Sequence, residues 1–327
     1  MDEVYDSIII GMGAAGLAAS LYSGRYKMRV LVVGKEFGGE TAWAGTIHNY
    51  PGVKDINGYD LMKIMKEQAS ELGVSFKEGE VTSVGRDESG CFKVTVGETE
   101  YASATIIFAH GTQRRRLGIP NEKELTGKGV HFCVTCDGPI YGGKVIAIVG
   151  GGDASVKGAN LAAEYASKIY LVTINKEVSA EPINREEMER RGEKIEIITE
   201  NTVAEIVGTS KLEKIILKDE YKGTRDLLVE GLFVEIGASP DAALATPLGV
   251  ALDEKNYISV DNMMRTNVPG IFAAGDIVNH FGSFKQDITA AAMGAVAATS
   301  AYEYKKINGD VCGLHYVTSA AVTGVTS

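Results

Sequence analysis

The sequence predicts an α/β protein of two three-layer domains, the second inserted into the first. Three observations lead there: a strand–glycine turn–helix–strand pattern occurs twice, its copies stand far apart, and a long alanine-rich segment near the end has only the first copy to pack on. In the first copy, Tyr5-Asp6-Ser7-Ile8-Ile9-Ile10 has the apolar density of a buried strand. Gly11-Met12-Gly13-Ala14-Ala15-Gly16 makes the turn, an Ala/Leu-rich helix follows, and Arg29-Val30-Leu31-Val32-Val33 is the next strand. The second copy runs from Lys144-Val145-Ile146-Ala147-Ile148-Val149 through Gly150-Gly151-Gly152-Asp153-Ala154-Ser155, as a helix to about Ala166, and on to Lys168-Ile169-Tyr170-Leu171-Val172-Thr173. Gly11 and Gly150 lie 139 residues apart, too far for a solenoid repeat and right for two separate domains.

The intervening segments finish the two units. Ser75–Val84, Phe92–Val96 and Thr105–Ala109 read as short strands with turns at Gly79, Ser89-Gly90 and Gly97. Several short strands between Ile195 and Val234 form a similar finishing set for the second unit. Pro269–Asp276 reads as a buried strand ending in a polar turn, and the alanine-rich helix is expected from about Ser283 to Ile307. The first domain therefore comprises residues 1–113 and 243–327, and the second residues 114–242.

Composition narrows the function classes. A chain of 327 residues with 45% hydrophobic and 23% charged residues can bury two cores. Its net charge of −10, with lysines and arginines scattered, argues against a nucleic-acid partner. Met1-Asp2-Glu3 is acidic where a secretory signal is basic, and the apolar runs are short and broken by glycine, so neither an export signal nor a membrane span is expected. Four cysteines, two of them in C-x-x-C spacing, do not make a secreted disulfide framework, and a reducing, cytoplasmic setting is expected.

Each glycine of the first turn has a physical task. The first permits the tight turn, the second lets the backbone approach a pyrophosphate, and the third lets helix and strand pack closely. The helix N-terminus then offers free N–H groups and partial positive charge to phosphates. A tight turn without ligand also satisfies G-x-G-x-x-G, but the strand–turn–helix–strand context points to a dinucleotide. The second turn is a weaker case: Ser155 stands at its third glycine position, and Asp153 would set a carboxylate beside a pyrophosphate.

The pair Cys133-Val134-Thr135-Cys136 carries the chemistry. A C-x-x-C pair closes a very small disulfide loop, and a nearby cation or helix N-terminus lowers a thiol pKa from about 8.5 towards roughly 3.5–7.5, supplying thiolate for exchange. A zinc site would need two further ligands, and neither Cys91 nor Cys312 has a partner completing such a pattern, so no metal is expected. Cys91 and Cys312 are expected to be passive. Asp137, beside the pair, is either a general acid–base or a turn-forming residue before Gly138-Pro139.

Taken together, Gly11/Gly13/Gly16, Asn49-Tyr50-Pro51-Gly52, Cys133-Val134-Thr135-Cys136-Asp137-Gly138, Gly150-Gly151-Gly152, Gly237-Ala238-Ser239-Pro240 and Gly275-Asp276 resemble the low-molecular-weight thioredoxin reductase family over nearly the whole chain. The resemblance implies two Rossmann-like domains, FAD in the first, and reduction of thioredoxin or a glutaredoxin-like protein. It implies that Cys136 faces the flavin as the charge-transfer thiolate, that Cys133 attacks the partner disulfide, and that Asp137 is the acid–base. A large rotation of one domain against the other would let one pair serve both ends. The larger relatives are disfavoured, because Gly38–Pro51 holds no cysteine and His315 has no acidic residue after it.

The implied FAD contacts are Gly11, Gly13, Ala14, Ala15 and Gly16 at the phosphate turn, Gly34 and Lys35 after the second strand, and Gly39, Glu40, Thr41 and Asn49 at the flavin edge. Val81 matches a main-chain contact to adenine, His110 and Gly111 fall on the adenosine side, and Gly275 with Asp276 holds the ribityl chain. Lys285, Gln286, Asp287 and Ile288 would place a helix N-terminus at the pyrimidine end of the ring, where reduction builds negative charge. A core role for His110 is an equal alternative.

The nicotinamide site, at Gly150, Gly152, Asp153, Ala154, Ser155 and Lys176, departs most from the family. In place of the His-Arg-Arg cluster that pairs the 2′-phosphate of NADPH stands Ile174-Asn175-Lys176-Glu177-Val178. NADPH preference is not expected; NADH and a non-nicotinamide donor stay open. Other substrates remain, namely a peroxiredoxin-linked disulfide carrier, ferredoxin or a quinone, as does a redox-sensing flavoprotein. A homodimer is what the family suggests.

Overall fold

The computed structural model describes residues 4–282, 284–308 and 312. The chain divides into two compact units, Met1–Thr112 with Pro240–Ser327, and Gln113–Ser239. The chain passes between them at the strands Thr112–Arg114 and Ala238–Pro240, which pair in a two-stranded sheet.

The first unit is built on a seven-stranded sheet. Val4–Ile10 is buried along its whole length and pairs in parallel with Val30–Gly34 on one side and Thr99–Phe108 on the other. A strand covered on both faces reads as an unbroken apolar run, and the sequence there does. Ser75–Glu78 extends the sheet beyond Val30–Gly34. Thr99–Phe108 is twice as long as expected because its halves have different neighbours. The first pairs antiparallel with Phe92–Val96 across the Gly97 turn, and the second pairs in parallel with Ile271–Ala273. Val81–Arg86 closes the far edge.

Two helices cover one face. Ala14–Arg25 and Asp287–Asn308 are rich in alanine and glycine, so their backbones come close: a Cβ on Gly294 would overlap the carbonyl of Ala15. The second of these helices starts at Asp287, four residues later than expected. Gln286 sets that start, its N–H donating to Thr289 Oγ1 at 3.2 Å and its carbonyl accepting from the same hydroxyl at 2.8 Å. Ser283 lies outside the described residues. Pro240–Ala242, placed by sequence with the second domain, belong to the first, where Ala242 is buried in the main core.

Cys91 and Cys312 form a disulfide, buried among Val4, Ala102 and Ala104. Expected to be passive, they take no part in the Cys133–Cys136 site but form a covalent tie between the hairpin before Phe92 and a residue beyond the last helix. Their separation of 221 residues left no local signal for the pairing.

The second unit carries a five-stranded parallel sheet in the order Val130–His131, Gly231–Val234, Val145–Val149, Lys168–Val172, Ile195–Ile198. Val203–Val207, Lys214–Tyr221 and Thr224–Leu227 form a three-stranded antiparallel sheet. The helix after the glycine turn spans Asp153–Ala162, four residues short of expectation. Beyond it the chain tightens into turns, Glu164 N and Tyr165 N donating to the carbonyls three residues back, while Tyr165 O accepts from Gly143 N and Ser167 N donates to Lys144 O, both at 2.8 Å. Among the described residues, no helix is long and apolar enough to cross a membrane.

Candidate active site

Cys133 and Cys136 are joined as a disulfide at the start of the short helix Val134–Asp137, with Cα atoms 5.3 Å apart. Cys133 is in extended conformation and caps the helix, its Sγ accepting from Cys136 N–H at 3.1 Å. Cys136 is exposed and Cys133 partly so, while Val134 between them is buried. That alternation comes from packing. Val134 sits against Gly158 of the helix Asp153–Ala162, where any side chain would press on its methyl groups, and Gly138 leaves room for the Tyr165 hydroxyl. The apolar residue inside the C-x-x-C motif thus anchors the loop and leaves the sulfurs outward.

Asp137 closes the helix and is tied to residues that sequence spacing did not single out. Its Oδ2 lies 3.1 Å from Nδ1 of His131, whose Nε2 is 2.7 Å from the Tyr141 hydroxyl. His131 is buried and its ring stacks on Phe233, centroids 5.3 Å apart. Burial, and then the charges of Asp137 and Glu230, push the Tyr141 hydroxyl above its ordinary pKa. The nearby Tyr165 hydroxyl is pushed up to about 12, first by burial and then by Glu164.

In the first unit the glycine turn has the form a phosphate needs. Gly11 adopts φ +122°, in the region that glycine tolerates, and a Cβ on it would run into the Ala109 carbonyl. A Cβ on Gly16 would strike the Gly11 carbonyl, which is the close helix–strand approach. Gly13 caps the helix Ala14–Arg25 without a side-chain bond, and Ala14 and Ala15 follow at its first turn. Gly34 faces Met12, and Lys35 is paired with Glu80 at 3.3 Å, one residue before Val81. Gly39, Glu40 and Thr41 open the helix Gly39–Trp43.

Thr41 Oγ1 donates to Asp287 Oδ1 at 2.5 Å, and Asn49 Nδ2 donates to Gln286 Oε1 at 2.9 Å. The residues around positions 40, 49 and 286 are thereby brought together with Asp276. Burial raises the Asp276 carboxyl above the usual range, Lys285 opposes the shift, and Asp287 and Glu40 add to it. Asp287 is raised by burial against its bond from Thr41. Lys285 does not project outward: its Nζ donates to the carbonyls of Asp276 and Val278 and lies 4.5 Å from the Tyr257 ring centroid. Ile288 stands exposed at the start of the helix, and Gly275, at φ +79°, lies against Ala15.

His110 Nε2 is 2.8 Å from the Asp241 carbonyl, so this nitrogen carries the proton. Nδ1 is then an acceptor, buried and without a partner among the described residues. Burial holds the imidazole below its ordinary pKa, with the Asp241 bond and charge opposing. Gly111, at φ +68°, follows with open space beside it. A buried, unpaired acceptor beside an uncapped glycine turn suits a dinucleotide carrying hydroxyl donors.

The turn of the second unit is differently disposed. Gly150 has φ +145° and lies against the Glu235 carbonyl, Gly152 caps the helix with open space beside it, and Ser155 bonds back to Gly152 O at 2.8 Å. A side chain at Ser155's position therefore fits, and the missing third glycine is no defect. Asp153 is not an obstacle aimed at the turn. Its Oδ1 accepts from Glu181 N–H at 3.0 Å and Asn184 Nδ2 at 2.7 Å, and its Oδ2 pairs with Lys157 at 2.8 Å. Burial is the largest single influence on its pKa and raises it, but those three partners together hold it below the usual value. Asp153 thus braces this helix against Pro182–Arg190. Ala154 follows it in the first turn. Ile174 and Lys176 are exposed.

Three comparisons bear on this arrangement. The family model of pyridine nucleotide-disulphide oxidoreductases matches residues 5–298. A thioredoxin reductase of Peptoclostridium acidaminophilum is 37% identical over 318 residues, covering 94% of this chain and 99% of its own length. The solved thioredoxin reductase of Lactococcus lactis superposes with a TM-score of 0.85 at 33% identity, covering 92% of this chain and 98% of that one. That of T. acidophilum superposes with a TM-score of 0.84 at the same identity and coverage.

Proposed function

The chain belongs to the pyridine nucleotide-disulphide oxidoreductase family, and from that premise we infer a flavin-dependent thioredoxin-disulfide reductase whose exchanging group is the Cys133–Cys136 disulfide. It is an oxidoreductase acting on a disulfide, like its thioredoxin reductase relatives. The observation that carries the reading is the outward-facing pair, anchored by buried Val134 and followed at once by a carboxylate.

Met1–Thr112 with Pro240–Ser327 is read as the FAD-binding domain, and Gln113–Ser239 as the pyridine-nucleotide-type domain that carries the redox pair. FAD, when bound, supplies the two-electron relay between donor and disulfide. The N–H groups at the turn Gly11–Gly16 would hold its pyrophosphate, and His110 Nδ1 would accept from a hydroxyl of its adenosine half. Asp276, with Gly275 and the residues 286–288, would hold the ribityl and pyrimidine end. Lys285 would act from behind, by fixing the carbonyls of Asp276 and Val278. Cys136 is assigned to the flavin side, Cys133 to attack on the partner, and Asp137 to acid–base duty.

The family uses FAD and a nicotinamide cofactor. For this chain the nicotinamide is not preferentially NADPH: where a 2′-phosphate would need bidentate arginines stand Ile174, Asn175 and an exposed Lys176. NADH or a donor without nicotinamide is the reading that fits. The protein partner is thioredoxin or a glutaredoxin-like protein, the setting cytoplasmic, and the assembly a homodimer. Anaerobic reduction by dithionite followed by mixing with oxidised thioredoxin tests the central reading. Flavin reoxidation with appearance of thioredoxin thiols is expected; failure to transfer electrons to any dithiol protein would overturn it.

A further inference from the structure

We propose that His131 is a positioning residue for disulfide exchange, holding the Asp137 carboxylate through a hydrogen-bond chain that begins at the Tyr141 hydroxyl. This rests on the reading of Asp137 as the exchange acid–base.

The direction of the chain follows from its chemistry. An ionised carboxylate only accepts, so Nδ1 of His131 donates to Asp137 Oδ2 across 3.1 Å. In the neutral imidazole Nε2 is then an acceptor, and the Tyr141 hydroxyl, 2.7 Å away, donates to it. Tyr141 keeps its proton, because burial and the charges of Asp137 and Glu230 all disfavour a phenolate there. The chain Tyr141 O–H to His131 to Asp137 is therefore polarised towards the carboxylate. It is also rigid: Phe233 stacks on the imidazole and meets the Tyr141 ring edge-on at 5.6 Å. His131 is fixed to the sheet by its pairing with Phe233. The other titratable groups around this cluster are Glu230, neutralised by Lys144 at 2.7 Å, and Tyr165, whose hydroxyl lies against Gly138.

What this supports is a balanced proton path. The Cys133 thiol gives its proton to Asp137 and attacks one sulfur of the partner disulfide. The partner S–S bond breaks, a Cys133–partner disulfide forms, and the departing sulfur takes both bond electrons and the proton from Asp137. The Cys136 thiol then attacks the Cys133 sulfur, the second partner sulfur leaves and takes up the proton that Cys136 released, and the enzyme disulfide is restored. Asp137 must present the same face at acceptance and delivery of the proton, and its side chain is 44% exposed with His131 as its fixed support.

The test compares two acceptors on dithionite-reduced, desalted holoenzyme. Oxidised bacterial thioredoxin releases an alkyl thiolate that needs a proton. Dithiobis-nitrobenzoate, an aryl disulfide, releases a thiolate of low pKa that does not. The readout is the ratio of the two exchange rates. In His131→Asn and His131→Phe we expect that ratio to fall about tenfold, and in Asp137→Asn about a hundredfold. Tyr141→Phe should fall between the wild type and His131→Phe. A packing defect slows both acceptors in proportion, so an unchanged ratio in both His131 variants overturns the inference. If Asp137→Asn also leaves the ratio unchanged, the acid–base assignment itself fails; if Asp137→Asn lowers it, only the role of His131 does.

Discussion

The glycine turn of the second unit lends itself to a quantitative experiment. Where arginine forks would grip a 2′-phosphate, the chain offers exposed Lys176 beside Asn175, whose own N–H is held by Thr173 Oγ1 at 3.2 Å. Each charge-assisted bond to a phosphate is worth roughly 1.5–3 kcal/mol, and a tenfold change in affinity corresponds to about 1.4 kcal/mol. Each missing contact should therefore weaken NADPH by about ten- to a hundredfold, and one flexible ammonium recovers only part of that. Asn175→Arg with Lys176→Arg should tighten NADPH by at least about tenfold and leave NADH nearly unchanged. Asp153 should be left in place. Asp153→Asn would keep an amide oxygen for the Glu181 N–H but remove the ion pair with Lys157, loosening the N-terminus of the helix that follows the glycine turn. The assay is anaerobic titration with NADPH and NADH, watching flavin bleaching. Micromolar NADPH affinity with fast flavin reduction in the unmodified protein would refute the reasoning.

Further expectations concern the pair, the cofactor, the second disulfide and pH. Cys133→Ser and Cys136→Ser should each abolish thioredoxin reduction with FAD still bound, checked by turnover and the visible spectrum. The purified protein should be yellow with one FAD per chain, whereas Gly11→Ala, whose Cβ would meet the Ala109 carbonyl, should lose the colour. Breaking the Cys91–Cys312 bond by Cys91→Ser should lower unfolding free energy by up to about 5 kcal/mol on the chain-entropy view, read as a fall in Tm that reductant reproduces in the wild type. Glu196 is held at a pKa of about 2 by bonds from Lys168, Lys222 and Tyr221, below its ordinary 4.5. A depressed carboxyl stabilises above its unfolded pKa and loses that contribution as pH falls through the folded value. The urea midpoint of the wild type should thus drop between pH 4.5 and about 2 more steeply than that of Glu196→Gln.

Much of the fold was legible because its signals are local. Buried parallel strands read as apolar runs, and glycine turns with positive φ at Gly11 and Gly150 leave the same mark in sequence as in space. The discontinuous first unit was legible by exclusion, since the alanine-rich helix had one place to go. What escaped depends on distance along the chain. Asp153 looked obstructive because its partners at 181 and 184 come from another helix. His131 carried no local signal at all, since its meaning comes from Phe233 and Tyr141, which only the sheet and the following turn bring to it. Lys285 was read with Gln286, Asp287 and Ile288 as one helix N-terminus, and its separate bonds to the carbonyls of Asp276 and Val278 come from a preceding turn that the motif does not include.

The bond between Cys91 and Cys312 has a topological consequence. One cysteine precedes the inserted unit and the other follows it, so every residue of Gln113–Ser239 belongs to a covalent ring. A single protease cut inside that ring opens it without releasing a fragment. A nicked chain should migrate as one species until it is reduced, and then as two. The ring also changes the folding search. Bringing together the two arms of a discontinuous domain is the contact of longest range that such a chain must make, and closing so long a loop is what slows folding. With the bond intact, an unfolded molecule begins with those arms already tethered side by side, so refolding from the oxidised form should outpace refolding from the reduced one.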